Sequence, residues 1–237
     1  MKGAMNSKGD LAMLWIKSGS GKARTIQAAT CIDGLWSEPL EVGVTDDYFS
    51  QLSVKINDAG HSAASWTTTE KRNEIVYVAD KPIGQSWSSP IAVSNPTKDV
   101  NSNKMSMDDQ GNILMVWIVT EGRKEVPYAA YKPVDQEWAA PVRLSGGTRV
   151  CDHIKVETNH QGYFVVLWNE LQKKQISIHG AALSTATKEL TSAKVSPEGQ
   201  DCGKFKFAFN KKGQGIIAWQ TWDDEDSFVQ IAELKVN

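Results

Sequence analysis

The stretch Asp108-Asp109-Gln110-Gly111-Asn112-Ile113-Leu114-Met115-Val116-Trp117 decides the fold, because its pattern recurs at a fixed interval. Gly111 belongs to a column with Gly9, Gly60, Gly162 and Gly213, each 51 residues from the next. Six residues after each glycine stands a tryptophan: Trp15, Trp66, Trp117, Trp168 and Trp219. Alanine marks a third column at Ala28, Ala79, Ala130, Ala181 and Ala232. A second tryptophan column, Trp36, Trp87 and Trp138, is followed three residues on by Pro39, Pro90 and Pro141. Self-similarity of this kind marks a tandem array. The spacing gives five units of 51 residues with no insertion or deletion, over 1–51, 52–102, 103–153, 154–204 and 205–237.

Each unit reads as four short strands. Leu52 to Asn57 alternates apolar and polar, the period of a half-buried strand. The turn Asn57-Asp58-Ala59-Gly60 follows, with Asn6, Asp108, Asn159 and Asn210 at the position of Asn57. An Asn or Asp side chain opens such a turn by bonding nearby backbone, and glycine accepts the positive φ that closes it. The second strand is the most apolar, as in Leu11 to Trp15, Ile113 to Val119, Phe164 to Trp168 and Ile216 to Trp219. Runs of that kind are buried on both faces. Third strands (Glu74 to Ala79, Val126 to Tyr131) and fourth strands (Pro90 to Ser94, Pro141 to Ser145) complete the unit. No segment shows a 3.6-residue period. The class is all-β, a five-bladed β-propeller with each tryptophan filling the wedge between blades. The last unit falls short of its fourth strand, so an open edge on blade five is expected, and an open edge invites pairing.

The 237 residues carry a net charge of −2, with 41% hydrophobic and 23% charged residues. That balance argues against nucleic acid as a partner. No apolar run is long enough for membrane insertion by a helix. Cys31, Cys151 and Cys202 do not make a disulfide scaffold. Cys151 and Cys202 stand one repeat apart, where a bridge competes with two small buried thiols. No histidine and cysteine spacing points to a metal, and no motif points to another cofactor.

The Gly-x5-Trp and Trp-x2-Pro columns resemble bacterial tandem-repeat propellers of the sialidase-like type. That resemblance covers the whole chain and implies the fold and an exported protein. It does not carry the sialidase residues: the sialidase Ser-x-Asp-x-Gly-x-Thr-Trp box places tryptophan three residues after glycine, against six here. The five arginines (Arg24, Arg72, Arg123, Arg143, Arg149) offer no three on three central strands. The segment Gly203-Lys204-Phe205-Lys206-Phe207 is similar to a strand of five-bladed tachylectin-2-type lectins, which implies sugar binding.

Two patterns carry candidate chemistry. Lys2, Lys104, Lys155 and Lys206 form a column on the innermost strand, broken by Ser53. Such a column makes a cationic ring for an anion, or lysines snorkelling to the channel mouth. The loops between blades vary most, and variable loops on a rigid scaffold carry specificity. Asp47, Tyr48, Lys98, Asp99, Arg149, Asp152, His153 and Asp201 are the polar groups there that could converge near the axis. Asp152 and His153 would point to opposite faces of a regular strand, which counts against an acid–base pair. Hairpins between second and third strands are basic in four units (among them Lys22, Lys71 and Lys173) and acidic in the fifth, at Asp223-Asp224-Glu225. The expected function is a non-enzymatic recognition module for a carbohydrate or protein ligand. The alternatives are a sialidase-like glycoside hydrolase and a structural propeller that self-associates or is completed at the blade-five edge.

Overall fold

The computed structural model describes all residues except 20–22, 71, 160, 173, 223–225 and 236–237. Every described element is a strand, and five antiparallel sheets follow the five repeats. Blade 1 holds β1 (Lys2–Met5), β2 (Leu11–Ser18), β3 (Arg24–Ile32), β4 (Leu35–Trp36) and β5 (Leu40–Thr45). Blade 2 holds β6 (Phe49–Ile56), β7 (Ser62–Glu70), β8 (Asn73–Lys81) and β9 (Ile91–Ala92). Blade 3 holds β10 (Val100–Met107), β11 (Ile113–Glu121), β12 (Lys124–Lys132) and β13 (Val142–Arg143). Blade 4 holds β14 (Cys151–Thr158), β15 (Tyr163–Gln172), β16 (Gln175–Ser184) and β17 (Leu190–Lys194). Blade 5 has three strands, β18 (Cys202–Phe209), β19 (Gly215–Trp222) and β20 (Ser227–Leu234). The first strands of successive blades lie against one another and wall the central channel.

Strands run longer than the apolar runs that announce them, because the hydrogen-bond ladder continues into polar residues towards each hairpin. The fourth strands are shorter than the sequence implies. Ile91–Ala92 and Val142–Arg143 are two residues each, since Pro90 and Pro141 bring no N–H to the ladder. Blade 1 departs from a strict 51-residue repeat. There Met13 faces Ala29, whereas Ala64 faces Ala79, Met115 faces Ala130 and Val166 faces Ala181. The blade-1 hairpin is therefore one residue longer, and Ala29 rather than Ala28 takes the alanine position.

Four of the five tryptophans of the first column fill wedges between blades as expected, and Trp15 of blade 1 is only half-buried. Trp66, Trp117, Trp168 and Trp219 are each at most 5% exposed. On three of them the facing residue of the third strand stacks: Tyr77 on Trp66, Tyr128 on Trp117 and His179 on Trp168, with centroids 6.1 to 6.3 Å apart. The second column sits at the rim. Trp87 and Trp138 pack on the core margin, and Trp36 is exposed.

The turn column does more than close hairpins. Asn57 Oδ1 accepts from the N–H groups of Ala59 and His61 at 3.1 and 3.0 Å. Its Nδ2 donates across to the carbonyls of Asp108 and Asp109 in blade 3, both at 3.2 Å. Asn6 Nδ2 likewise donates to the carbonyl of Asn57 at 2.9 Å. One side chain thus shapes its own turn and staples it to the next blade. Lys211 of blade 5 reaches Asp58 of blade 2 at 3.1 Å, at this same end of the channel.

Candidate functional site

The lysine column lies where the repeat places it, on the innermost strands. A cavity of 370 Å3 is lined by Lys2, Gln51, Ser53, Lys55, Asn103 and Lys104, and its lining holds no carboxylate. Burial, and after it the charge of Lys2, holds Lys104 below the ordinary lysine value. Lys155 is lowered by burial, then by its hydrogen bond with Lys206 and the charges of Lys206 and Lys104, with Glu157 opposing. Lys104, though open to the channel, is crowded enough to lose hydration. Its ammonium donates to the Asn103 carbonyl at 2.8 Å, and that of Lys155 lies 5.8 Å from the Phe205 ring centre. Among the described residues, none of the four lysines has a carboxylate within ion-pair distance. Like charges so assembled are unfavourable without a counter-ion.

The innermost strands are bulged just above this column. The ladder slips between Ser50 and Ser53, Val100 and Ser102, Asp152 and Lys155, and Cys202 and Phe205. Gln51 and His153, one hundred and two positions apart and so at equivalent places, take left-handed φ of 49° and 53°. Bulges re-aim side chains, and non-glycine residues in this region store strain that gathers at functional sites. Gln51 has a visible structural occupation: its Oε1 accepts from the Asn103 N–H at 2.9 Å, joining blades 2 and 3. At His153 the same distortion reverses an expectation. The bulge cancels the alternation of a regular strand and brings His153 Nδ1 to 2.8 Å from Asp152 Oδ1. The two atoms are misaligned for a hydrogen bond but close enough for charge pairing. The pair lies two residues before Lys155 on β14, about 7 Å along the strand.

The remaining loop residues do not converge with it. Asp99 Oδ1 accepts from the Glu74 N–H at 2.8 Å, and Asp201 Oδ1 from the Ile176 N–H at 2.7 Å. Both carboxylates fasten their loops to third strands and are occupied. Asp47 Oδ1 accepts from the Tyr48 N–H at 2.8 Å, and Arg24 lies 4.0 Å over the exposed Tyr48 ring. Arg149 is exposed on its own loop. Lys98 pairs with Glu121 in a cluster that the sequence did not reveal. There Tyr128 donates to Glu121 Oε1 at 2.7 Å, Arg143 Nε donates to the Tyr128 oxygen at 2.9 Å, and Arg143 also pairs with Glu121. The cluster borders a 540 Å3 cavity at the junction of blades 2 and 3. The pairing of β12 with β13 sets Tyr128 opposite Arg143, and the β11–β12 hairpin brings Glu121 to the same two side chains.

All three cysteines are free and buried, and burial pushes the Cys151 thiol far up, leaving it inert. Among the described residues no three His, Cys, Asp or Glu side chains gather to hold a metal ion. The hairpin charges Lys22, Lys71, Lys173 and Asp223 to Glu225 lie outside the described residues.

No protein-family model matches the chain, and no curated protein does. Solved structures do. The polysaccharide lyase Uly1 superposes with a TM-score of 0.57 at 11% identity, over 98% of this chain and 57% of that one. An ulvan lyase of family PL25, bound to -[GlcA(1-4)Rha3S]-, gives 0.57 at 10%, over 97% and 63%. An endo-arabinase from Bacteroides thetaiotaomicron gives 0.47 at 15%, over 96% and 90%. This chain therefore spans about three fifths of the two lyases. Identities this low establish a shared fold. The matches also correct the reading of a non-enzymatic recognition module: the two lyases, which superpose above 0.5, are enzymes that break polysaccharides, so neither the fold nor its repeats speaks for an absence of catalysis.

Proposed function

We propose that this chain is a carbohydrate-active enzyme that binds and cleaves an anionic polysaccharide at the loop end of its channel. One observation carries the reading: among the described residues the four lysines on the channel wall have no carboxylate within ion-pair distance, and an Asp–His pair stands two residues from one of them, Lys155, on β14. A uronate or sulfate group supplies the missing charge. The likeness to an ulvan lyase bound to -[GlcA(1-4)Rha3S]-, a chain that carries uronate, supports the same substrate class.

Elimination suits the residues better than hydrolysis. Hydrolysis calls for two carboxyl groups facing each other about 5–9.5 Å apart, and the channel cavity offers amines and amides instead. In the elimination, lysine ammonium groups neutralise the uronate carboxylate and so acidify the C5–H bond. His153, whose Nδ1 lies beside Asp152, takes that proton through its other ring nitrogen, Nε2. The electron pair forms the C4–C5 double bond, the C4–O4 bond breaks, and a lysine ammonium protonates the departing oxygen.

The test is to incubate the chain with uronate polysaccharides, sulfated and unsulfated, and follow both the ultraviolet absorbance of unsaturated ends and the release of reducing ends. Elimination raises both together, and His153→Ala removes both. Reducing ends without the absorbance would mean hydrolysis, and neither signal from any anionic chain would sink the reading.

A further inference from the structure

The four contacts between successive blades share one design. A forward face, made of alternate residues of the second and third strands, packs on the tryptophan-bearing rear face of the next blade. Leu14 and Ile26 of blade 1 meet Ala64 and Trp66 of blade 2. Val76 and Val78 of blade 2 meet Met115 and Trp117 of blade 3. Val116 and Ala129 of blade 3 meet Val166 and Trp168 of blade 4, and Leu167 and Ile178 of blade 4 meet Ile217 and Trp219 of blade 5.

Two faces are left over. On the rear of blade 1, Trp15 is only half-buried, alone in its column, and Met5, further along the same face, is 68% exposed. On the forward face of blade 5, Ile216, Val229 and Ile231 are 52%, 67% and 66% exposed. The strand registers put each residue on the stated side: Met5 pairs with Leu11 on the Trp15 face, and Ala218 with Ile231 on the face opposite Trp219. Among the described residues no core cluster joins blade 5 to blade 1. Exposed apolar faces of this kind mark interaction surfaces.

We propose that the forward face of blade 5 binds the rear face of blade 1 in a second copy of this chain. The bare faces are the two halves of an interface that the chain already forms four times, so the surface complementary to each is carried by the chain itself. Such a contact is head to tail, using different patches on the two partners. It involves sheet faces and leaves the open edge of β20 unused, and it stands independently of the proposed catalysis.

The test is light scattering on the intact chain over a range of concentrations, with Ile231→Asp and Met5→Asp. Both positions are exposed, and circular dichroism checks that both variants fold. The parent chain is expected at a mass of two copies or more, rising with concentration. Each variant alone is expected as a monomer, because every copy then lacks the same half of the contact. An equimolar mixture of the two is expected to recover a dimer, since one variant keeps its forward face and the other its rear face. A parent chain that stays monomeric at every concentration overturns the proposal, as does a multimer that either variant leaves intact. A mixture that stays monomeric overturns the head-to-tail arrangement.

Discussion

The two ends of the channel are made of the same five strands and are built on opposite principles. At the turn end, polar groups are paired with one another: Asn57 satisfies its own turn and the next blade's, Ser7 donates to Asp58, and Lys211 pairs with Asp58. Those bonds hold Asp58 down at about 2, with the Ser7 hydroxyl the largest cause. At the loop end, lysines crowd with no carboxylate of the described residues within ion-pair distance, and Gln51 and His153 sit in left-handed backbone. Saturated contacts make a scaffold, whereas strain and uncompensated charge are retained where a ligand relieves them.

The sharpest way to break this contrast is at Gly111. Its φ is +95°, and a Cβ there would lie 2.0 Å from His61 Nδ1 in the neighbouring blade. Gly111→Ala should cost about 3 kcal/mol, combining a left-handed alanine with the displaced imidazole, and should lower the thermal midpoint by several degrees. The residual folded protein should cleave normally, because the turn end has no part in chemistry. Asn57→Ala should cost about 2 kcal/mol by orphaning buried backbone groups in two blades. Urea titration measures it, and a loss below a tenth of that would mean that the staples are redundant.

The contrast also explains what could be read without coordinates. The Gly-x5-Trp spacing exposed the blades because turn and wedge chemistry repeat identically in every unit, and repetition is visible in a string. Sites are breaks in repetition. The Asp152–His153 pair depends on a one-residue slip in β14, which no local composition marks, so regular alternation wrongly set the two apart. The Glu121–Tyr128–Arg143 cluster depends on which residue of β12 faces β13. The extra residue in the blade-1 hairpin was hidden because the following loop is one residue shorter, which restores the 51-residue spacing at Trp36. Asp99 and Asp201 read in the sequence as candidate ligand-binding residues, and the sequence does not mark the N–H groups they cap.

Lys104→Met should weaken binding of an anionic polysaccharide about tenfold at low salt, with the difference shrinking as salt is added. It should leave the fold intact, because the charge it removes opposes folding. The sign follows from linkage. A lysine held below its ordinary value of 10.5 binds fewer protons folded than unfolded, so stability rises with pH through the window just below 10.5. That rise should be smaller in Lys104→Met, and bound polysaccharide should flatten it in the parent chain by restoring the ammonium. Unfolding midpoints taken across alkaline pH, with and without ligand, measure both effects.

The smallest effect separates strain from catalysis most cleanly. His153 holds φ at 53°, a conformation that costs a side-chain-bearing residue and not glycine. His153→Gly should therefore raise stability, by about 0.5–1 kcal/mol, while abolishing cleavage. His153→Asn, which tolerates left-handed backbone and lacks a base of suitable strength, should keep the parent stability and also lose activity. Together the two variants dissociate the roles: stability would follow backbone preference, and turnover would follow the imidazole alone. Should His153→Gly prove less stable than the parent, the pairing with Asp152 would be worth more than the strain it sits on, and the loop end would be scaffold after all.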